Sequence, residues 1–350
     1  MYDLTKPIDI NWELNNICNL MCPQCGRNEI KDGVLQWNKN GSGNPTNNLN
    51  DRDTSLEDFK TAFDNIGNVG TVRFYGHVSE NVASRDFAKI CEFIIDKGSN
   101  VMVSTNGSLR SKYWWSKLGE IYKGHKKSKV AFCLDGLREE LSLYRINASY
   151  NKIIENAKSF IDAGGRAEWR MIVFKHNQHQ IEEAKQIAKE CGFHNFTLIL
   201  SNRKENWGEP FTYKNKTYNL LPQDIDKTWS KKEQQRIEYI NSDKLEEISC
   251  KFEIQNSIYI DHLLKVWACC YIPNRKNLLG EHKYYDDYYH DTSNNLLEKS
   301  LNDILNDKFY DILPIGWELK STCLSPCKST CTKKHNSGNP RSSNYRENVW

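Results

Sequence analysis

Cys18-Asn-Leu-Met-Cys22-Pro-Gln-Cys25 sets three thiols within eight residues of one another. Thiolates are the usual protein ligands of iron–sulfur clusters, and three of them can hold three corners of a four-iron cubane. The fourth iron then stays open, so a small molecule can coordinate it. Two plainer readings compete. A structural zinc site wants four ligands, commonly paired as C-x2-C, and a C-x3-C-x2-C triad fits that poorly. Cysteines packed in a core would not sit on a loop with Asn, Pro and Gln. A second set, Cys250, Cys269, Cys270, Cys323, Cys327 and Cys331, lies far down the chain. A structural zinc ribbon is its competing reading. The solitary Cys91, Cys133 and Cys191 fall in expected strands or helices and read as small buried hydrophobes.

The elements that position these residues follow from the pattern of apolar residues. Strands are expected at Ile8–Leu14, Thr71–Tyr75, Asn100–Thr105, Lys129–Leu134, Ala167–Phe174 and Asn195–Leu200. Most are rich in Val, Ile and Phe and end at Gly, Asn or Asp. Helices are expected between them. One opens on Ser55-Leu-Glu-Asp58, which has the form of a capping box, and Leu56, Phe59, Phe63 and Ile66 share its apolar face. Others fit Arg85–Lys97, Lys112–Tyr122, Tyr150–Ala163 and Gln178–Cys191, with Gly164-Gly165 and Gly192 placed as C-caps. Six strands alternating with helices imply a parallel α/β sheet, which binds ligands at the carboxyl ends of its strands. The first cysteine group directly follows the first strand. Residues 31–53 read as a long polar loop. Residues 202–249 read as a linker with a helix at Gln223–Asn241. Residues 250–331 form a cysteine-bearing block, and 332–350 a polar, mobile tail.

C-x3-C-x2-C on the loop after the first strand of a βα-repeat chain resembles the radical S-adenosylmethionine (SAM) superfamily over about residues 7–200. The resemblance implies a partial (βα)6 barrel over residues 1–201. It implies a 4Fe-4S cluster on Cys18, Cys22 and Cys25 whose open iron binds SAM, and cleavage of SAM to a 5′-deoxyadenosyl radical that abstracts hydrogen from a substrate. Where the family carries a Gly-Gly-Glu-Pro-like run after its second strand, this chain has Tyr75-Gly-His-Val-Ser-Glu80. Gly76 matches, and Glu80 stands as the acidic partner. Gln24 replaces the usual aromatic residue before the third cysteine. Ser104-Thr-Asn-Gly107 matches the family's Thr-Asn-Gly, which places Ser104 and Asn106 near SAM. Asp135-Gly136 and Tyr144-Arg145 match further motifs. Arg145 is assigned to the SAM carboxylate because a guanidinium grips a carboxylate with two hydrogen bonds. An ordinary turn residue remains the alternative for Asp135, and a surface salt bridge remains the alternative for Arg145.

The second cysteine set resembles the twitch domain, the shortened relative of the SPASM domain, in a form like that of bacteriophage-encoded proteins. The implied fold is a small α+β iron–sulfur domain. Its auxiliary 4Fe-4S cluster would use a hairpin with a cysteine at each end and a later cysteine group. Cys250, Cys269, Cys323 and Cys327 are the assigned ligands, with Cys331 as substitute. Asp261-His-Leu-Leu264 stands where the hairpin turn usually has glycine.

Bulk properties narrow the rest. With 38% hydrophobic and 27% charged residues, the chain reads as a soluble globular protein. No run of apolar residues is long enough for a membrane span. The start lacks the basic-then-apolar pattern of a signal peptide. The expected location is therefore the cytoplasm, where clustered cysteines are metal ligands rather than disulfides and the Asn-X-Ser/Thr sequons are chance matches. A net charge of +3 does not suggest a nucleic-acid binder, and the basic run at 123–129 reads as a solvated loop. The expected partners are a peptide or small-molecule substrate, with a peptide or protein favoured, and an electron donor such as flavodoxin or ferredoxin. The alternatives are oxidation of a small alcohol or sugar with the auxiliary cluster as electron acceptor, and a non-catalytic, metal-stabilised binding protein on a degenerate scaffold.

Overall fold

The computed structural model describes residues 2–38, 53–77, 79–200, 208–224, 247–272, 294–318, 323, 324, 327 and 331. The chain runs through β1 (Ile8–Trp12), β2 (Asn28–Lys31), β3 (Val34–Trp37), α1 (Leu56–Ile66), β4 (Val69–Phe74), α2 (Phe87–Asp96), β5 (Asn100–Thr105) and α3 (Lys112–Tyr122). It continues through β6 (Lys129–Cys133), α4 (Arg138–Tyr144), α5 (Tyr150–Asp162), β7 (Ala167–Val173), α6 (Ile181–Glu190) and β8 (Asn195–Leu200). After these come β9 (Phe211–Tyr213), β10 (Lys216–Tyr218), α7 (Lys251–Ile254), β11 (Ser257–Ile260), β12 (Val266–Trp267), α8 (Leu301–Leu305) and α9 (Lys308–Ile315). All six expected strands are present as β1 and β4–β8. The helix expected from Gln178 opens as a 3-10 turn over Gln178–Gln180 before α6.

The chain divides into two compact units. One comprises Met1–Trp12, Leu56–Gly70 and Ile225–Ser343; the other comprises Glu13–Ser55, Thr71–Asp224 and Asn344–Trp350. In the second unit β4 to β8 pair in parallel, in chain order. Alternation along each strand sorts the side chains. On β7, Ala167, Trp169 and Met171 are buried, and Trp169 packs on Phe193 and Phe196 with ring centroids 5.5 and 5.7 Å apart. Phe132 of β6 meets Trp115 of α3 and Phe160 of α5 at 4.9 and 6.2 Å. The opposite face of the sheet is polar.

On that polar face a three-way ion cluster crosses β6, β7 and β8. Glu168 accepts from Lys129 Nζ at 2.7 Å, Arg170 Nε at 2.9 Å and Thr197 Oγ1 at 2.9 Å. Burial alone would raise the Glu168 carboxyl, but Arg170 and then Lys129 outweigh it and hold the carboxyl at about 2, below its ordinary 4.5. A depressed carboxylate stabilises the fold above its unfolded pKa and loses that contribution as pH falls toward the folded value. A drop of this size corresponds to about 3 kcal/mol. The stability gap between wild type and Glu168→Gln should therefore shrink by about 2 kcal/mol as urea titrations move from pH ~6 to ~3, the rest being lost only below the folded value. A gap that does not change with pH would contradict the assignment.

Two stretches expected as loop or linker contain strands. Asn28–Lys31 and Val34–Trp37 pair antiparallel across Asp32-Gly33, both with positive φ, 52° and 72°. That is the Asp-Gly turn whose backbone twist suits a two-residue hairpin. β3 pairs with β9 at Val34↔Thr212, and β9 with β10, so residues 211–218 extend this small sheet to the order β10-β9-β3-β2. The helix expected at Gln223–Asn241 lies almost wholly outside the described residues, as does the tail. The sequence reading also missed α4, whose single inward side, Leu141 and Tyr144, is too short to show a helical period.

In the first unit β1 pairs with β11 in parallel from Asp9↔Ser257 to Trp12↔Ile260, and β11 with β12 antiparallel. The hairpin is shorter than expected, because Lys251–Ile254 is helical and only Ser257–Ile260 is strand. An aspartate does the work of the missing turn glycine. Asp261 Oδ1 accepts from Leu263 N at 2.9 Å and Lys265 N at 3.1 Å, and Oδ2 from Trp267 Nε1 at 2.8 Å. Those three bonds support Leu264 at φ 62°, a conformation costly for a non-glycine residue.

Candidate functional site

The cysteine loop is clamped from several sides, all within the second unit. Leu14 N donates to Asn81 Oδ1 at 2.7 Å, Glu80 N to Ile17 O at 2.7 Å, and Met21 N to Ile146 O at 3.1 Å. Inside the loop, Cys25 N donates to Cys22 O at 3.1 Å and Asn28 Nδ2 to the same carbonyl at 2.9 Å. Arg27 Nη1 donates to Asn16 O, and the guanidinium lies 4.3 Å from the Trp37 ring centre. Sequence reasoning passed over Arg27, although it follows Cys25 by two residues. The structure buries it in the field of Cys18, Cys25, Glu13 and Cys22.

The strand ends bring several expected residues to this loop. Thr105 Oγ1 and Asn106 N both donate to the Glu80 carboxylate at 2.7 Å, so Glu80 braces the end of β5 against the cysteine loop. Asn106 Nδ2 reaches Cys18 Sγ at 3.7 Å and Asn19 Oδ1 at 3.0 Å. The chain can turn after Asn106 because Gly107 takes φ 67°, where a Cβ would strike the Phe132 ring at 2.8 Å. The segment that starts at Gly76 curls onto a residue the sequence reading overlooked: Glu13 accepts from His77 N and Ser79 Oγ.

Asp135 and Arg145 meet as a pair. Arg145 Nε donates to Asp135 Oδ2 at 2.6 Å, and Ile172 N donates to Oδ1 at 2.6 Å. Asp135 is fully buried, which pushes its carboxyl up, while Arg145 pulls it back. The same carboxylate keeps the Arg145 guanidinium charged. Ser104 departs from this group. Its Oγ lies 3.2 Å from Cys133 Sγ, on the polar face of the sheet.

Burial pushes the Cys18 thiol up to about 11, with Glu80 adding to it. Burial also raises the Cys22 thiol, against the pull of Arg145. The three thiols share one loop and one electrostatic neighbourhood, although among the described residues no three Cys, His, Asp or Glu side chains stand close enough to hold a single metal ion. The donor set suits an iron–sulfur cluster: three thiols, and two guanidinia, Arg27 and Arg145, to balance thiolate charge.

The second cysteine group lies in the first unit. Cys250, Cys269, Cys270, Cys327 and Cys331 line one cavity of about 180 Å³, together with Ala268, Leu313 and Trp317. Cys331 N donates to Cys327 O at 2.8 Å and Ser249 N to Cys331 O at 2.6 Å, which ties the last cysteine to the chain beside Cys250. Burial raises the thiols of Cys250, Cys269, Cys327 and Cys331. Cys323 does not line the cavity; its Sγ faces Leu324 O at 3.8 Å. The spacing C-x3-C-x3-C offers Cys323 and Cys331 equally, and only the fold separates them. These thiols also suit a cluster: they converge on one cavity, Cys269 and Cys327 are buried and Cys250 and Cys331 half-buried, and among the described residues no carboxylate lines the wall. Of the solitary cysteines, Cys91 is buried and accepts from Tyr122 Oη at 3.7 Å, while Cys133 and Cys191 are partly exposed.

Comparisons with known proteins bear on this arrangement. No protein-family profile matches the chain. The Fe-coproporphyrin III synthase of Methanosarcina barkeri (strain Fusaro / DSM 804) is 22% identical over 196 residues, which is 54% of this chain and 44% of that protein. The match thus spans less than half of that relative's length. Among solved structures, Streptococcus suis SuiB bound to S-adenosylmethionine superposes with a TM-score of 0.56 at 15% identity, covering 96% of this chain and 76% of SuiB. SuiB bound to its precursor peptide SuiA gives 0.52 at 15% identity, covering 88% and 67%. The protein anSMEcpe with bound AdoMet gives 0.53 at 14% identity, covering 97% and 91%. The alternating parallel strands and helices of this chain therefore have the fold of those SAM-bound structures, the radical SAM partial barrel.

Proposed function

We propose that this protein is a radical SAM enzyme. The observation that carries the reading is the clamped cysteine loop, with Asn106, Glu80, Arg27 and Arg145 around it, on the fold of structures that bind SAM. Cys18, Cys22 and Cys25 would hold a 4Fe-4S cluster. When bound, that cluster supplies one electron to cleave SAM into methionine and a 5′-deoxyadenosyl radical. The chain's own residues do the positioning. Glu80 fixes the end of β5 against the loop, so that Asn106 stands over Cys18. Asp135 holds the Arg145 guanidinium charged and oriented, with further donors left to take the SAM carboxylate. Ser104 faces the polar side of the sheet and belongs to the substrate space rather than to SAM.

A peptide or protein is the favoured substrate, supported by the peptide-bound form of the neighbouring SuiB. A second cluster, in a twitch-like domain, would sit on Cys250, Cys269, Cys327 and Cys331, with a structural or electron-accepting role. A flavodoxin or ferredoxin would donate the electron, and the cytoplasm is the compartment that fits. No described helix is long and apolar enough to cross a membrane. The test is direct. Protein reconstituted with iron and sulfide under anaerobic conditions and reduced with dithionite should convert SAM to 5′-deoxyadenosine. Absence of any turnover-linked product from fully reconstituted protein would overturn the reading.

Arg145→Ala should weaken SAM binding by about 1.5–3 kcal/mol through loss of a charge-assisted contact. It should also destabilise the fold by about 3–5 kcal/mol, because Asp135 is left buried and unpaired. The two effects are separable. Asp135→Asn combined with Arg145→Met should regain most of the stability and none of the SAM affinity, as read by urea titration and equilibrium dialysis of SAM. Restored SAM affinity in the double variant would show that Arg145 acts only as the partner of Asp135.

A further inference from the structure

The polar face of the sheet carries more positive charge than it neutralises. Glu168 is its shared counterion, and two cations, Lys129 and Arg170, lie on that one carboxylate. Arg170 uses only Nε for the contact. Its guanidinium also lies 5.6 Å from the Tyr75 ring centre, and Tyr75 itself is 40% exposed. The ring and the carboxylate hold the guanidinium plane from two sides. The terminal Nη atoms donate no hydrogen bond to the protein among the described residues, while the side chain is 18% exposed.

The location is as telling as the charge. Glu168, Arg170 and Ile172 alternate onto one face of β7, away from the Trp169 and Met171 face that packs on the helices. Arg170 acts electrostatically on Cys133, and so does Arg145. Arg145 in turn acts on Cys22. Arg145 and Arg170 thus share one electrostatic neighbourhood around Cys133. Tyr75 stands beside Arg170, and Ser104 Oγ lies 3.2 Å from Cys133 Sγ on the neighbouring strand. A guanidinium fixed at Nε and open at both Nη atoms presents the end-on fork that matches a carboxylate with two parallel hydrogen bonds. Glu168 repels an incoming anion, but Lys129 and Arg170 together leave one net positive charge.

We propose that Arg170 is a specificity-determining residue that anchors a carboxylate of the substrate, an acidic side chain or a chain terminus, on the polar face of the sheet. The inference rests on the radical SAM reading and deepens it by naming a chemical feature of the substrate. Glu168 and Tyr75 are positioning residues for this anchor. An amide or an alcohol would offer the Nη fork one acceptor in place of two and no charge.

The test uses reconstituted protein with SAM bound and three probes: Ac-Gly-Glu-Gly-NH2, Ac-Gly-Gln-Gly-NH2 and Ac-Gly-Gly-Gly with a free carboxylate. Affinities are read by saturation-transfer difference NMR on wild type, Arg170→Gln and Arg170→Lys. Wild type should bind at least one carboxylate probe about tenfold or more tightly than the Gln probe. Arg170→Gln should remove that preference, and Arg170→Lys should retain a smaller part of it. The Glu and free-terminus probes show which source of carboxylate is preferred. Equal binding of all three probes by wild type, no binding of any, or a preference unchanged in both variants overturns the proposal. Should Arg170→Gln fail to fold, Arg170→Lys, which keeps a cation beside Glu168, decides alone. SAM affinity is measured on the same wild-type sample. Failure there would strike the radical SAM reading, whereas intact SAM binding without carboxylate preference strikes only the Arg170 anchor.

Discussion

Alanine at Cys18, Cys22 and Cys25 together is expected to lower reductive SAM cleavage by roughly three orders of magnitude or more, about 4 kcal/mol or more in barrier. It should also remove about four of about eight irons from the reconstituted chain. The loop backbone should survive the change. Its clamps run through Leu14, Ile17, Met21 and the Cys22 carbonyl rather than through the thiols, and Cys22 and Cys18 belong to a hydrophobic cluster with Leu20, Tyr144 and Phe174 that accepts small apolar side chains. Loss of cleavage with an unaltered urea midpoint is therefore the expected combination. Undiminished 5′-deoxyadenosine formation by the triple variant would rule out this loop as the cluster site. Iron is counted by colorimetric assay and product by chromatography, both against wild type prepared in parallel.

The second large effect divides two cysteines that the sequence cannot tell apart. Cys331→Ala is expected to lose the auxiliary iron, about four atoms per chain, and Cys323→Ala to keep it. Cys331 lines the cavity with Cys250, Cys269 and Cys327, whereas Cys323 turns to the Leu324 carbonyl. Cys250→Ala, Cys269→Ala and Cys327→Ala should behave like Cys331→Ala. Cys270 also lines the cavity, in the turn that follows β12, but it is the more exposed of the two neighbouring cysteines, so Cys270→Ala is expected to retain the iron. Retention of all eight irons by Cys331→Ala, together with loss in Cys323→Ala, would reverse the assignment of the fourth ligand.

Much of the scaffold is legible in the chain because it follows from local periodicity. β5 and β8 begin and end where the runs Asn100–Thr105 and Asn195–Leu200 do, and α3 spans Lys112–Tyr122 as its pattern indicates. The cysteine loop is legible for the same reason, since a triad of thiols depends only on short-range spacing. Where reading fails, the missing information is either too short to show a period or too distant in sequence. The β2–β3 hairpin has four residues a side, and its one clear signal, Asp32-Gly33, sits in a segment whose Asn and Gly content resembles a loop. β9 and β10 have three residues each and gain their sheet from Val34, far earlier in the chain.

What the sequence determined by itself is the set of reactive groups and the alternation of strands and helices that carries them. The side-chain pairings were decided by tertiary structure alone. Glu80 became a brace because the end of β5 delivers Thr105 and the Asn106 amide to its carboxylate. Ser104, two residues before Asn106 and equally plausible on paper, lies inside β5 and meets Cys133 of the neighbouring strand, whereas Asn106 stands past the strand end, where the chain turns toward the cysteine loop. Cys331, and not Cys323, lines the cavity beside Cys250 because backbone bonds to Ser249 and Cys327 hold it there. Arg170 acquired its open fork because β6, β7 and β8 lie side by side and bring Lys129 and Arg170 to one carboxylate. Each of these choices depends on which distant residue arrives within about 3 Å, the range over which hydrogen bonds and ion pairs act, and spacing along a chain cannot specify that.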